Sequence, residues 1–169
     1  VIRGNATPKW LVGWNNSIIW RNLSINLFFY GAFDYDRLNI SRFTTASMSG
    51  GSRFITLRDA YFNGWDYVEN KSDAKYASVK NTDNKSYANT TFWLEDASFI
   101  KLKNVTISYT IPRYITRFAD IQLSVSAQDI FTFTKYKGMD PEVYSSYEGL
   151  DYGAYPIPRT ITFGLKLTF

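Results

Sequence analysis

Three short acidic stretches contain the groups of this sequence that could bind a metal or attack a bond. Asp34 and Asp36, like Asp140 and Glu142, could donate oxygen ligands to Ca²⁺. Neither pair has the full ligand count of a known calcium loop, so a solvated or salt-bridged loop is the alternative. The adjacent carboxylates of residues 95–96 have the residue types of a glycosidase, but sequence does not give their separation. We expect no resident cofactor, with calcium in these loops as the alternative.

Several tyrosines lie near the end of the sequence, among acidic residues. Aromatic rings beside carboxylates suit stacking on a sugar ring and hydrogen bonding to its hydroxyl groups. Packing within a loop, or contact with a partner protein, would use the same side chains. The tyrosines considered as ligand or partner contacts are Tyr144, Tyr147, Tyr152 and Tyr155.

The composition excludes several classes of function. The 169 residues include 19 basic and 15 acidic side chains, and the net charge of +4 is spread along the chain, so no nucleic-acid partner is expected. Cys and His are absent, which excludes disulfides, thiolate metal sites and Ser-His-Asp or Cys-His catalysis within this chain. Aromatic residues make up 18% of the sequence, and they favour strands, membrane interfaces and stacking sites.

The elements that must position these residues are predicted to be strands, because apolar and polar residues alternate. The clearest case is the end of the sequence, where ten residues alternate without a break. Polar residues, mostly threonine, occupy the other face. The apolar face of this predicted strand consists of Ile161, Phe163, Leu165, Leu167 and Phe169.

Residues 10–20 and 23–33 are predicted to form a hairpin around Arg21-Asn22. A two-residue loop would pair Trp20 with Leu23 and Trp10 with Phe33, which places the aromatic and aliphatic side chains on one face. Arg-Asn is not the favoured Asn-Gly turn, so a longer loop with a shifted register is the alternative.

Two further strands are predicted at residues 99–111 and 121–133. Pro112 ends the first of them, because proline cannot donate to the ladder. Asp129-Ile130 breaks the alternation of the second, which predicts a bulge or the exit from the apolar zone. Lys101 and Lys103 are expected on the apolar, outward face near the start of the first strand.

Alternation alone fits two kinds of protein: a soluble β-domain that binds carbohydrate, and a barrel that spans the outer membrane. Short and long connections alternate along the chain, aromatic residues lie at the strand ends, and the polar faces carry few charges. These features favour the membrane barrel. Five strands are too few to close such a barrel, since these begin at about eight. We therefore expect the chain to be a piece of a longer protein.

Three blocks of the sequence resemble the SusC/RagA family of TonB-dependent outer-membrane transporters, and they occur in the family's order. The blocks are residues 97–112 (ASFIKLKNVTISYTIP), residues 126–143 (SAQDIFTFTKYKGMDPEV) and residues 151–169, which begin DYGAYPIPRT. Residues 4–10 resemble the lead into the preceding hairpin. Residues 57–91 match the family only loosely.

The resemblance implies an all-β fold: an antiparallel transmembrane segment with long extracellular loops. Residues 1–169 would form about the last five strands of a 22-stranded barrel, with no counterpart of the plug domain. It further implies a non-enzymatic protein of a Bacteroidetes outer membrane that imports glycans or peptides. A SusD-like surface lipoprotein would cap the barrel, and the TonB complex would act on the plug.

The resemblance also gives expectations for individual residues. The alternating end of the chain, Ile161 to Phe169, resembles the signal that the barrel-assembly machinery recognises by strand addition. Lys101 and Lys103 would meet lipopolysaccharide phosphates among the outer-membrane lipids, with ordinary rim charge as the alternative. The loop tyrosines would contact either the ligand or the lid lipoprotein.

Overall fold

The computed structural model describes residues 3–47, 57–78, 90–142 and 149–169. They form two compact units, each with its own packing. The strand unit consists of Pro8–Asp34, Ser98–Lys135 and Pro156–Phe169. The connection unit consists of the residues up to Thr7 together with Tyr35–Ala97 and Tyr136–Tyr155.

The described secondary structure consists of eight strands, three short α-helices and two 3-10 helices, Lys71–Asp73 and Thr91–Trp93. The strands are β1 Trp10–Trp20, β2 Leu23–Phe33, β3 Asp36–Asn39, β4 Leu94–Asp96, β5 Phe99–Ile111, β6 Asp120–Thr134, β7 Leu150–Asp151 and β8 Thr160–Thr168. The helices are α1 Ile40–Ser47, α2 Arg58–Phe62 and α3 Arg113–Thr116.

The strand unit is a single antiparallel sheet in the order β1-β2-β5-β6-β8. All five strands predicted from the alternation are present. The predicted hairpin register is confirmed from Trp10 opposite Phe33 to Trp20 opposite Leu23. Arg21 adopts a φ of 53°, and this left-handed backbone lets a two-residue turn close without glycine. The shifted register is therefore wrong.

The connection between β5 and β6 is short, and hydrogen bonds within it stabilise the turn. Pro112 ends β5 and precedes α3, whose first residue Arg113 donates its backbone N–H to Asp120 Oδ1 at 2.5 Å. Arg117 ends the helix with a φ of 70°. This turn brings the chain directly back into the antiparallel neighbour.

The connection unit contains a small mixed sheet, in the order β4-β3-β7, and the helices α1 and α2. Its core is formed by Phe43, Ala46, Ala60, Tyr76 and Trp93, with Leu38 packed against them. The helix α2 ends at Phe62 and does not reach Trp65. Within the described residues, no helix has the length and apolar content to cross a membrane.

Candidate functional site

The strand unit has one apolar face. Residues opposite each other in the register point to the same side, so the pairing assigns every residue to a face. Side chains of this face are exposed on β1 and half-buried on β2: Trp14 is 57% exposed, although its ring stacks on that of Phe29. The apolar face includes Trp10, Trp14, Ile18 and Trp20 on β1, Leu23 to Phe33 at every second residue of β2, Ile107 and Tyr109 on β5, and Leu123, Val125, Phe131 and Phe133 on β6.

Aromatic residues mark both ends of the apolar face. At one end Trp10 lies opposite Phe33, and at the other Trp20 lies in register with Leu23, itself opposite Tyr109. Ten residues separate the two tryptophans, about 33 Å along the strand and about 23 Å at a tilt of about 45°. That height matches the apolar band of a membrane barrel, about 25 Å tall with aromatic girdles on both sides.

The opposite face is mostly polar and largely uncharged, although Leu11, Ile19 and Phe28 also lie on it. Thr106 donates to Ser126 across β5 and β6 at 3.1 Å, and it also contacts Asn104. Ser and Thr side chains therefore hydrogen-bond to one another along this face. Its residues include Asn15 and Ser17 on β1, Ser24 and Asn26 on β2, Asn104, Thr106 and Ser108 on β5, Gln122, Ser124, Ser126 and Gln128 on β6, and Thr160, Thr162 and Lys166 on β8.

A β-bulge changes the phase of β5 and corrects the placement of one lysine. Phe28 and Phe29 of β2 pair with Asn104 and Leu102, so Lys103 is an extra residue in that pairing. On its other side Lys103 lies opposite Asp129-Ile130 of β6. Beyond the bulge, Lys101 lies on the polar face, and its side chain is only 1% exposed. The predicted outward placement is therefore wrong for Lys101, which has no surface for a lipopolysaccharide phosphate. For Lys103 this contact stays a prediction.

Asp129 lies within ion-pair distance of both Lys103 and Lys101. Its Oδ1 lies 3.0 Å from Lys103 Nζ and 4.0 Å from Lys101 Nζ. Asp129 has a φ of 52°, a left-handed conformation that Asp tolerates better than most residues. The predicted irregularity at Asp129-Ile130 is confirmed, and its physical role is to compensate a buried ammonium.

The apolar residues of β8 lie on one side, as predicted. Ile161, Phe163 and Leu165 face Ala127, Val125 and Leu123 in the register with β6, and Leu167 faces Ile121. The exposed fractions of these four β8 side chains run from 45% to 79%, and Phe169 follows the strand. A soluble carbohydrate-binding domain would have to bury this row in its core, so the exposure favours the membrane barrel.

The tyrosines near the chain end are only partly described. Tyr144 and Tyr147 lie outside the described residues, whereas Tyr152 and Tyr155 are both exposed. Of the nearby carboxylates, Asp140 accepts a hydrogen bond from the Glu142 backbone N–H. Ligand or lid contact by the tyrosines stays a prediction.

Asp151 is buried beside Tyr136 and holds the loop that precedes β8. Its Oδ2 accepts a hydrogen bond from the Tyr136 hydroxyl, and its Oδ1 accepts one from the Gly153 backbone at 2.7 Å. Burial raises the pKa of Tyr136 well above its ordinary value, so the phenol remains a proton donor at physiological pH. This carboxylate therefore has a structural role.

The carboxylates of the acidic stretch after β2 also accept hydrogen bonds from groups of the protein. Asp34 accepts from Lys9 Nζ at 2.7 Å, and Asp36 accepts from the Asn5 backbone N–H. Among the described residues, no group of three or more acidic side chains is placed to hold a metal. Calcium binding here has no support in the geometry.

A partly buried polar network in the connection unit was not anticipated from the sequence. Arg42 donates to Glu95 at 2.6 Å and to the Tyr76 hydroxyl at 2.8 Å, and Tyr76 donates to Asp59 at 2.6 Å. Burial lowers the pKa of Arg42, but the bonds to Tyr76 and Glu95 outweigh it and leave that pKa raised. These residues are 17 to 53 positions apart, so no local spacing could have revealed them.

Similarity to known proteins covers nearly the whole chain. A TonB-dependent receptor of Formosa agariphila, P3, is 31% identical over 180 aligned residues, which include 99% of this chain and 17% of the receptor. SusC of Bacteroides thetaiotaomicron, also a TonB-dependent receptor, is 26% identical over 62% of this chain. This chain belongs to the SusC/RagA type of TonB-dependent receptor.

Solved structures of SusC/RagA-type proteins place the five strands in a barrel. The RagAB peptide transporter matches 97% of this chain with a TM-score of 0.77 and 25% identity. RagAB in a closed-closed state, described as a peptide importer, matches 99% with a TM-score of 0.76. The chain spans 17–18% of the length of these relatives. No family model matches the chain.

Proposed function

We propose that this SusC/RagA-type chain is the C-terminal part of the barrel wall of a TonB-dependent importer in the outer membrane of a Bacteroidetes bacterium. The observation that carries the proposal is the sheet with two unlike faces. Exposed apolar residues with tryptophans at both ends lie on one side, and uncharged polar residues lie on the other. In a bilayer the first face contacts lipid and the second lines the lumen.

The two edge strands support a wall that is continued by other strands. β1 and β8 are the outermost strands of the described sheet. An edge in lipid would leave backbone N–H and C=O groups without hydrogen bonds, at several kcal/mol each. We infer that further strands of the complete barrel pair with both edges and that the plug domain and its TonB contact lie elsewhere in the protein.

The cargo that we propose is a glycan or a peptide, passed along the polar face. Hydroxyl and amide side chains such as Thr106 and Gln128 form hydrogen bonds with either cargo without a fixed charge that would trap it. The peptide alternative has support from RagAB, which is described as a peptide importer.

A SusD-like lipoprotein is the partner that we propose for the long connections. Residues 34–98 and 135–159 both leave the sheet at the end that carries Phe33 and Phe99. Long connections on one side and short ones on the other are the usual asymmetry of outer-membrane barrels, with the long ones outside. A surface lipoprotein would meet the barrel there.

For β8 we propose the role of assembly signal. The strand presents a backbone edge together with a regular row of apolar side chains from Ile161 to Leu167. Both features suit recognition by strand addition, in which main-chain hydrogen bonds give affinity and alternate side chains give specificity.

Cysteine accessibility tests the orientation of the wall, and the chain has no native cysteine to interfere. Ser126 and Val125 are neighbours on β6, an inner strand of the sheet, and point to opposite faces. In membranes that contain the complete protein, we expect Ser126→Cys to react with a charged, water-soluble maleimide and Val125→Cys to react only with a lipid-soluble one. Equal labelling of both by the charged reagent would contradict the proposal.

A further inference from the structure

An open pocket in the connection unit has no role in the barrel wall. Its volume is about 500 Å³, and the aromatic residues that line it are Trp65, Tyr76 and Phe92. Lys71 and Lys75 line the same pocket, and Thr90 and Thr91 add hydroxyl groups. Such a volume accommodates one or two sugar rings.

Two of the aromatic side chains that line the pocket are partly exposed, although the residue next to one of them is fully buried. Trp65 is 48% exposed and Phe92 is 40% exposed, whereas the adjacent Trp93 is 0% exposed and belongs to the core. Phe92 packs edge-on against Trp93, with ring centroids 4.7 Å apart. The core therefore fixes the Phe92 ring in a position where its exposed surface faces the pocket.

The base of the pocket is rigid. The Tyr76 hydroxyl is held between Arg42 and Asp59, and the Trp65 backbone N–H donates to the Tyr76 carbonyl at 3.0 Å. A pre-organised aromatic site loses little conformational entropy when a ligand binds.

The charged residues that line the pocket are cationic. Lys71 Nζ donates to the carbonyl oxygens of Trp65 and Val68 at 2.7 and 2.9 Å, which are neutral acceptors, and it forms no ion pair with the part of the chain that the structure describes. The positive charge of Lys75 also attracts the Asp59 carboxylate and contributes to the lowered pKa of Asp59. Asp73 lies between the two lysines in sequence but does not line the pocket. The pocket therefore favours an anion.

We propose that this pocket binds an acidic sugar residue, one that carries a carboxylate or a sulfate. The C–H face of a pyranose ring stacks on Trp65 or Phe92, the anionic group is attracted to Lys71 and Lys75, and the threonine hydroxyls bond to ring hydroxyls. A neutral sugar leaves the ammonium groups unused, and an acidic peptide lacks the flat ring face. This inference rests on the proposed import function and specifies its substrate class.

Binding of a defined oligosaccharide to the complete, detergent-solubilised protein tests the inference. The probes are a tetramer of galacturonate, the matching neutral galactose tetramer and tetraglutamate, each titrated calorimetrically. We expect the galacturonate tetramer to bind most tightly and to lose affinity as salt rises. Trp65→Ala and Lys75→Gln should each weaken its binding roughly tenfold.

Tyr61→Ala is the matched control, because Tyr61 is an exposed aromatic residue of the same unit that does not line the pocket. It should leave the affinity unchanged. The inference would be overturned if the wild-type protein fails to bind the galacturonate tetramer or binds either of the other probes equally well. It would also be overturned if both pocket variants bind the galacturonate tetramer as tightly as the wild type. Labelling of Ser126→Cys and Val125→Cys, which needs no ligand, shows separately whether the import function also fails.

Discussion

Lys103 and Asp129 meet across β5 and β6 with 3.0 Å between Nζ and Oδ1, at the point where both strands depart from regular pairing. The same carboxylate lies 4.0 Å from the almost fully buried ammonium of Lys101. The bulge thus turns Lys101 away from the lipid-facing side and supplies its counter-charge. The Lys103–Asp129 pair therefore helps to keep the apolar and polar faces of the sheet distinct.

Replacement of Asp129 should destabilise the assembled barrel. Asp129→Asn keeps a residue that tolerates the left-handed backbone but removes a negative charge that lies close to two lysines, one of them almost fully buried. We expect a loss of roughly 3 kcal/mol in the free energy of unfolding, measured by urea titration in lipid vesicles. Lys103→Gln, which removes a partner whose side chain is 22% exposed, should cost less. An unchanged unfolding midpoint for Asp129→Asn would show that the pair does not compensate Lys101.

Charge should be tolerated on one face of β8 and not on the other. Leu165→Arg places a guanidinium near the middle of the apolar band and should cost roughly 2–4 kcal/mol in vesicles. Thr162→Arg lies on the polar face of the same strand and should cost much less. If the two variants lose the same amount of unfolding free energy, β8 does not separate lipid from lumen.

The terminal aromatic residue should affect assembly more than stability. Phe169 is 83% exposed beyond the end of β8, so Phe169→Ala removes little packing. We expect less folded barrel in the outer membrane, measured as heat-modifiable protein on gels, with an unchanged unfolding midpoint for the protein that does assemble. Tyr155→Ala, an equally exposed aromatic substitution in the last connection, should have no such effect. Normal assembly of Phe169→Ala would contradict the signal role.

The connection unit should lose stability in acid. The Tyr76 hydroxyl donates to Asp59 and holds the pKa of that carboxyl below its usual range. A lowered folded-state pKa gives stability that is present above the unfolded pKa, about 3.9, and is lost as pH falls through the folded value. Burial raises the pKa of Tyr76. The stability that the neutral Tyr76 hydroxyl contributes is therefore fully present below about pH 10 and is lost only as pH rises through the raised pKa.

Hydrogen exchange of the α1 and α2 amides checks this dependence. Protection should be level through neutral pH and fall at pH values below about 4. Asp59→Asn should remove part of the acid-side change, and Tyr76→Phe should lower protection at all pH values because Arg42 loses a partner. Tyr61→Phe is the control. An acid profile that Asp59→Asn leaves unchanged would assign the titration to other groups.

The five strands and the hairpin register could be predicted because each depends on local alternation. The phase of β5 could not: Lys101 and Lys103 share a parity with Val105, and only the pairing with β2 and β6 reveals the inserted residue. The connection unit was harder still, because Arg42, Tyr76 and Glu95 meet only after long stretches of chain have folded together. Long-range contacts of this kind leave no periodic trace in sequence.

Quenching of Trp14 by brominated lipid tests the central claim, that the apolar face contacts the membrane. Trp14 lies near the middle of β1 with its side chain exposed, whereas Trp93 is fully buried in the connection unit. In the complete protein, with every other tryptophan replaced by phenylalanine, Trp14 fluorescence should fall in vesicles of lipid brominated along the acyl chain and resist aqueous acrylamide. A protein that retains only Trp93 should be quenched weakly by both agents. Strong acrylamide quenching of Trp14 without an effect of brominated lipid would contradict the claim.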